Sequence, residues 1–332
     1  MPRARADAPL PPVTWASPAA EVRRARHRLS RRTVRGLWIA AFLAPAVILF
    51  TGIVAYPVVA AMAYSAYRWD GIVRVGGAGL DNFRRLLTQY PYSERMVTAL
   101  WHNVWTFALT MVVQNGLGLL FAGLLAGRTW GARVYRAIFF MPVVLSLVIV
   151  GFLWQLFLNP VWGAVNAVLV ASGLGAFARP WLGDTQTALV TLILVNAWRW
   201  VGFPTIVFLA GIQGIPDDYL EAARLDGAGP AAIFRRITFP LLAPQVNIIV
   251  ILTFIGAFNW FELPYIMQGV TGEPFHATDV LGLLFYRAAF GGVDTGNPDV
   301  GIGSAIAVVM FILILATSGL GALYLRRREV EV

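Results

Sequence analysis

Cysteine is absent from the 332-residue chain, and so is lysine, so all 26 basic residues are arginine. The first absence excludes disulfides, thiolate nucleophiles and thiolate metal sites. The second excludes a P-loop lysine and a lysine Schiff base, so the chain has no means of hydrolysing ATP by itself in the P-loop manner. Only three histidines occur, His27, His102 and His276, and no pair has metal-ligand spacing. Charge is scarce as well: 13% of residues, against roughly 25% in a soluble domain. Hydrophobic residues reach 58%, more than one water-facing core can bury. A soluble enzyme, a disordered chain and a secreted disulfide scaffold are all excluded on these grounds.

Long apolar runs take their place. A span needs roughly 20 apolar residues, because the hydrocarbon core is about 30 Å thick and a helix rises about 1.5 Å per residue. Six stretches qualify: Leu37–Tyr64, Leu100–Ala126, Ala137–Leu158, Ala188–Gly211, Val246–Leu263 and Ile302–Leu325. The first carries Pro45, Gly52 and Pro57, which predict a kink or tilt. Pro160–Phe177 is apolar but interrupted by Gly163, Asn166, Gly173 and Gly175. It reads as a short interfacial helix. The expected fold class is an all-α integral membrane protein of six transmembrane helices, in one membrane domain over 37–325.

Arginine placement orients the chain. With both termini cytoplasmic, inner segments hold 18 arginines and outer loops 7, the bias that the positive-inside rule describes. A seventh span would place the loop 213–244 and the terminal triplet Arg326–Arg328 outside. The net charge of +9 sits on loop ends and on residues 1–36, a basic stretch rich in Pro and Ala that reads as a disordered cytoplasmic tail against anionic lipid headgroups. Neither nucleic-acid binding nor a cleavable signal peptide fits this arrangement. A short cytoplasmic tail, 326–332, closes the chain.

The loop 213–244 carries the most information. Pro216, Asp217 and Asp218 form a helix start, with Asp218 and Glu221 at capping-box spacing. The helix is expected to stop near Gly227, where a left-handed residue suits glycine. A second short helix follows from about Pro230 with Ile233, Phe234 and Ile237 on one face, and Pro240 and Pro244 lead into the fifth span. The physical reading is a rigid two-helix elbow with small residues for close approach and exposed acids for pairing.

The string Glu221-Ala222-Ala223-x-x-Asp226-Gly227, with Phe234, Pro240 and Pro244 at their offsets, resembles the EAA loop of binding-protein-dependent ABC importer permeases. Other segments are similar to sugar permeases of that family: Leu80-Asp-Asn82-Phe83, Asn196-Ala-Trp198-Arg199, Phe208-Leu-Ala-Gly-Ile-Gln213, Phe258-Asn-Trp-Phe261-Glu262, Tyr286-Arg-x-Ala-Phe290 and Gly301-x-Gly-Ser-Ala305. Glu262 stands where Asp is common, and Thr271-Gly-Glu-Pro departs from the usual Thr-Gly-Gly-Gly-Pro, which leaves that loop's conformation open. The resemblance implies a type I importer permease in a bacterial plasma membrane. It implies that the elbow is a coupling helix docked on a separate ATP-binding subunit, with Glu221 paired to a basic residue there. It also implies a complex of this first-type permease, a second permease, two ATP-binding subunits and an external solute-binding protein. ATP and magnesium then belong to the partner subunit, and this chain needs no cofactor of its own.

Polar residues inside spans default to function. Arg199 reads either as a hydrogen-bond fork for a hydroxyl-rich solute, flanked by indoles and Asn196, or as a structural arginine that pairs with a buried carboxylate or stabilises a permease–permease interface. Asn259, Trp260 and Glu262 suit a sugar, whose C–H face stacks on aromatics while its hydroxyls need directed partners. Trp260 reads equally as an interfacial belt residue. Gln114 and Asn115 read as interhelical glue. The rival reading is an ion-coupled secondary transporter, for which the spans offer only Glu262. An integral-membrane enzyme has no motif to stand on. The elbow yields a test: Glu221→Lys should leave insertion and expression intact and abolish solute uptake, and normal uptake by that variant would remove the coupling role.

Overall fold

The computed structural model describes residues 31–127, 131–291 and 297–326. Most of the expected N-terminal tail, Arg128 and the tail residues 327–332 lie outside them. The chain divides into two units, 1–57 and 58–332, and everything below concerns the second unit except the first long helix.

That helix, α1, runs Arg35–Ser65 within a helical stretch that begins at Arg31, six residues before the expected Leu37. Pro45 and Pro57 do not end it; a π turn at Thr51–Ala55 lies between them. Ahead of the second long helix comes a β-hairpin, β1 Tyr67–Asp70 against β2 Val73–Gly77, an exception to the all-α expectation. α2, Asp81–Thr88, follows, and its fully buried Asn82 donates to the Ser65 and Tyr67 carbonyls at 2.9 and 2.7 Å.

α3, Tyr92–Ala126, crosses in one piece, with a π turn at Met111–Asn115. The third expected span does not. Ala137–Leu158 resolves into α4, Ala132–Val144, and α5, Leu147–Phe157, bent by 97°. Leu145 and Ser146 are both extended (ψ 142° and 133°), and Pro142 removes a backbone donor just before them. A short helix α6, Ala164–Ala171, matches the expected short segment, since eight residues reach only about 12 Å. The fourth span is α7, Ala188–Trp200, and α8, Gly202–Gln213, kinked by 48° at Val201.

The elbow is α9, Asp217–Leu225, and α10, Pro230–Leu241. Pro216, not Asp218, holds the N-cap position, and no side-chain cap is made. Pro216 has no side-chain oxygen with which to accept the N–H groups of the first turn, so Asp217 and Asp218 act on the helix dipole there instead. Gly227 ends the helix at φ +78°, with Ala228 N–H donating to Ala223 and Gly227 N–H to Arg224 at 2.9 and 3.0 Å, the paired bonds of a Schellman turn. A 66° bend at buried Leu242 leads to α11, Ala243–Phe258. Here too the sequence expectation is corrected: the fifth span stops at Phe258, residues 259–261 are unwound, and Leu263 belongs to a separate helix α12, Glu262–Gln268. α13, Leu281–Phe290, and the long α14, Val300–Arg326, complete the fold.

Among the described residues, three helices are long and apolar enough to cross a membrane, and the three bent pairs raise the number to as many as six. Three buried clusters join the helices after α1: α2, α3, α11, α13 and α14 in one; α5, α7, α12, α13 and Trp260 in a second; α3, α8 and α11 in a third. Helices approach closely where glycine allows it. A Cβ on Gly202 would lie 2.3 Å from the Phe139 carbonyl oxygen, and one on Gly118 2.9 Å from the Pro204 ring. Gly202→Ala should therefore lower thermal stability in detergent by about 1–3 kcal/mol. Gly123→Ala, in open space on α3, should be neutral or stabilising in the same melt.

Candidate functional site

Two of the breaks meet at one cavity of about 570 Å³, bounded by α3, α7, α8 and α11 and by the unwound residues that follow α11. The structure brings all five path residues named from sequence, Asn196, Arg199, Asn259, Trp260 and Glu262, to its lining. Asn196, Arg199 and Trp200 come from the last turns of α7, directly before the kink. Asn259, Trp260 and Phe261 come from the unwound stretch, and Glu262 opens α12. Helices interrupted at a polar cavity are the usual way for a membrane protein to turn backbone and side-chain dipoles toward a solute.

Arg199 donates from Nη2 to the Leu145 carbonyl at 3.3 Å, an oxygen freed by the break between α4 and α5. Its guanidinium lies 5.0 Å from the centre of the Trp200 ring. Glu262, the kind of carboxylate that the structural reading of Arg199 required, lines the same cavity. Trp260 is buried at 9% exposure, more than an interfacial belt residue requires. Three buried polar atoms on the lining have no hydrogen-bond partner: Arg199 Nε, Thr110 Oγ1 and Gln114 Oε1. Buried polar atoms normally find partners, so three orphans around one cavity mark a place built for a polar occupant, water or solute.

Sequence reasoning missed Thr106 and Thr110 as lining residues and read Gln114 and Asn115 as glue; of the two indoles flanking Arg199, Trp200 is the one on the lining. The glue is real for Asn115, whose Nδ2 donates to Thr253 Oγ1 on α11 at 2.9 Å, yet both amides line the cavity. The signal was present as Thr106, Thr110 and Gln114 at four-residue spacing on one apolar helix. The π turn at 111–115 adjusts the register of the last of them.

The unwound stretch is anchored from behind. Asn103 on α3, fully buried, donates from Nδ2 to the Ala257 carbonyl at 2.6 Å and accepts the Leu281 N–H at 2.9 Å. His102 Nδ1 stands 2.6 Å from the Asp279 carbonyl, so that nitrogen carries the proton. Gln155 on α5 donates to the Met267 carbonyl at 2.9 Å. The loop carrying Thr271-Gly-Glu-Pro takes its shape from Gly272 at φ +67°, where a Cβ would lie 2.8 Å from the Asp279 backbone. Arg287 then locks it, bonding the Val270 carbonyl at 2.7 Å and both oxygens of Asp279. Burial pushes the Asp279 carboxyl above the usual carboxylate range, opposed by the hydrogen bond and charge of Arg287 and by the charges of His276 and Arg95.

In the elbow, Glu221, Ala222, Asp226 and Gly227 are exposed and Ala223 is buried. Leu225 is 89% exposed beside them. Phe234 is exposed and packs at 6.2 Å on Phe239, with Pro240 in the same helix and Pro244 in the first turn of α11. The elbow therefore turns acids and a bare leucine to solvent on a backbone fixed by a Schellman turn.

The sequence profile of the binding-protein-dependent transport system inner membrane component matches residues 114–330. The chain belongs to that family. It is a membrane permease of the ABC importer type, whose ATP hydrolysis is carried out by a separate subunit. The probable ABC transporter permease protein YurN of Bacillus subtilis is 35% identical over 83% of this chain and 92% of its own length. The trehalose/maltose transport system permease protein MalF of Thermococcus litoralis is 35% identical over 72% of this chain and 76% of its own. In fold, a chain of a bacterial alginate ABC transporter, crystallised with an alginate pentasaccharide-bound periplasmic protein, superposes with a TM-score of 0.76 at 23% identity, covering 91% of this permease and 98% of that chain.

The lock behind the cavity can be tested by a mutant cycle. Arg287→Met alone should cost about 3–5 kcal/mol by leaving the Asp279 carboxylate buried without its partner. Arg287→Met with Asp279→Asn should recover a large part of that loss in the same thermal melt.

Proposed function

We propose that this permease is the first-type membrane subunit of a carbohydrate importer and that the cavity between α7 and the unwound end of α11 is its solute path. One observation carries the reading: buried, unpartnered Arg199 Nε, Thr110 Oγ1 and Gln114 Oε1 surround a cavity that also presents Trp200 and Trp260. Indole faces take the C–H surface of a sugar while directed polar atoms take its hydroxyls. The named transport of trehalose and maltose by a relative at 35% identity supports the same class of solute. Asn196, Asn259 and Glu262 supply further hydrogen-bonding groups on the same lining.

Coupling is assigned to the elbow. Closure of two ATP-binding subunits moves α9 as a rigid lever through Glu221 and its exposed neighbours, and the spans exchange inward-facing and outward-facing states. Nucleotide state and membrane conformation are then linked reciprocally. Ala222, Ala223, Asp226 and Gly227 shape the lever, while Phe234, Pro240 and Pro244 join it to the fifth span. The assembly contains a second, different permease and an external solute-binding protein that delivers the solute. This chain holds no cofactor, both of its termini face the cytoplasm, and it spans a bacterial plasma membrane.

Affinity purification of the tagged chain in mild detergent tests the assignment. The wild type should bring down an ATP-binding protein and a second permease, and Glu221→Ala should lose the ATP-binding protein alone. Recovery of the wild type only with copies of itself would overturn it.

A further inference from the structure

We infer that Gln114 makes the α3 wall of the cavity selective for neutral hydroxyl-bearing solutes and against anionic ones, with Thr110 beside it adding affinity and not selectivity. The inference rests on the cavity being the solute path. Both side chains are more than nine-tenths buried, at 8% and 5% exposure, and each presents an unpartnered oxygen on the cavity lining.

The direction in which Gln114 faces is fixed by its neighbours. Asn115 turns Nδ2 toward Met111 Sδ at 3.1 Å and Thr253 Oγ1 at 2.9 Å. A thioether sulfur accepts but never donates, so the amide nitrogen belongs on that side and Asn115 Oδ1 on the other. Gln114 Nε2 donates to that Oδ1 at 3.3 Å. Gln114 is left presenting Oε1, an atom that accepts and cannot donate. A carboxylate or phosphate oxygen placed there would set lone pair against lone pair, whereas a hydroxyl donates.

The remaining orphans complete the discrimination. Thr110 Oγ1 bonds in either sense, and Arg199 Nε only donates. A hydroxyl group, which both donates and accepts, satisfies all three positions. An ammonium group satisfies Gln114 and opposes Arg199; an anion satisfies Arg199 and opposes Gln114. Among the described residues on the lining, the charged side chains are Arg199 and Glu262. The two charges cancel, which removes the net positive field that would draw in an anion.

The test uses the assembled importer purified in detergent, with equilibrium binding of tritiated glucose, maltose and trehalose and competition by glucuronate and glucose 1-phosphate. The wild type should bind at least one neutral sugar, with the anions competing at least about tenfold less well, the discrimination expected from one unmade buried hydrogen bond. Gln114→Leu should weaken neutral-sugar binding about tenfold and close most of the gap to the anions. Thr110→Val, close to isosteric, should weaken neutral sugars severalfold and keep the gap, and this comparison stands even if Gln114→Leu fails to assemble. Anions that compete as well as sugars in the wild type would overturn the inference while leaving the cavity as the solute path. So would an assembled Gln114→Leu complex that keeps both affinity and gap. Failure of the wild type to bind any of the five compounds would overturn the solute-path reading and this inference with it.

Discussion

A helix broken inside a hydrocarbon layer frees backbone carbonyls and N–H groups that the surroundings cannot solvate, at a cost of several kcal/mol each unless the protein supplies partners. This fold depends on meeting that demand. Arg199 takes the Leu145 carbonyl at the break in the third span. Asn103 takes the Ala257 carbonyl at the end of α11 and the Leu281 amide at the start of α13, closing two helix ends with one side chain. Gln155 takes the Met267 carbonyl where α12 ends. At these three places a polar side chain from a neighbouring packed helix takes up the freed backbone group.

The same requirement produces the site. An uninterrupted bundle of apolar helices would present only side chains of low polarity to a solute. Unwinding residues 259–261 and kinking the chain at Val201 instead brings amides, indoles, a guanidinium and a carboxylate to one cavity. Part of that polarity is consumed in holding the breaks, and part is left over. Arg199 does both, spending Nη2 on Leu145 while Nε remains without a partner. Rigid support and unsatisfied chemistry therefore sit on the same residues, the arrangement a binding site needs to be preorganised.

The elbow and the cavity differ in how they are built. The elbow depends on local chemistry: proline at helix starts, a glycine at positive φ, and backbone bonds within seven residues. The cavity depends on contacts between residues more than a hundred positions apart, such as Asn103 with Ala257 and Asn115 with Thr253. A lever benefits from a shape that survives movement of its surroundings. The proposed solute path takes its polar partners from different elements, so its shape changes when helices shift.

That contrast decides what could be read from sequence. Apolar run length, arginine bias and the Glu221–Gly227 string determined the class, the number of candidate spans and the two-helix elbow, since each rests on periodicity or on turn chemistry within a few residues. The expected capping role of Asp218 failed even locally, because Pro216 already occupied the cap. Hydropathy could not reveal the breaks at 145–146 and 259–261, because the runs around them stay apolar enough on average to span and the bend is decided by which neighbour accepts the freed backbone group. Nor could it separate the glue role of Gln114 from a place on the cavity wall. Only packing determined that Asn115, held by Met111 and Thr253, would turn Gln114 with its oxygen unpartnered.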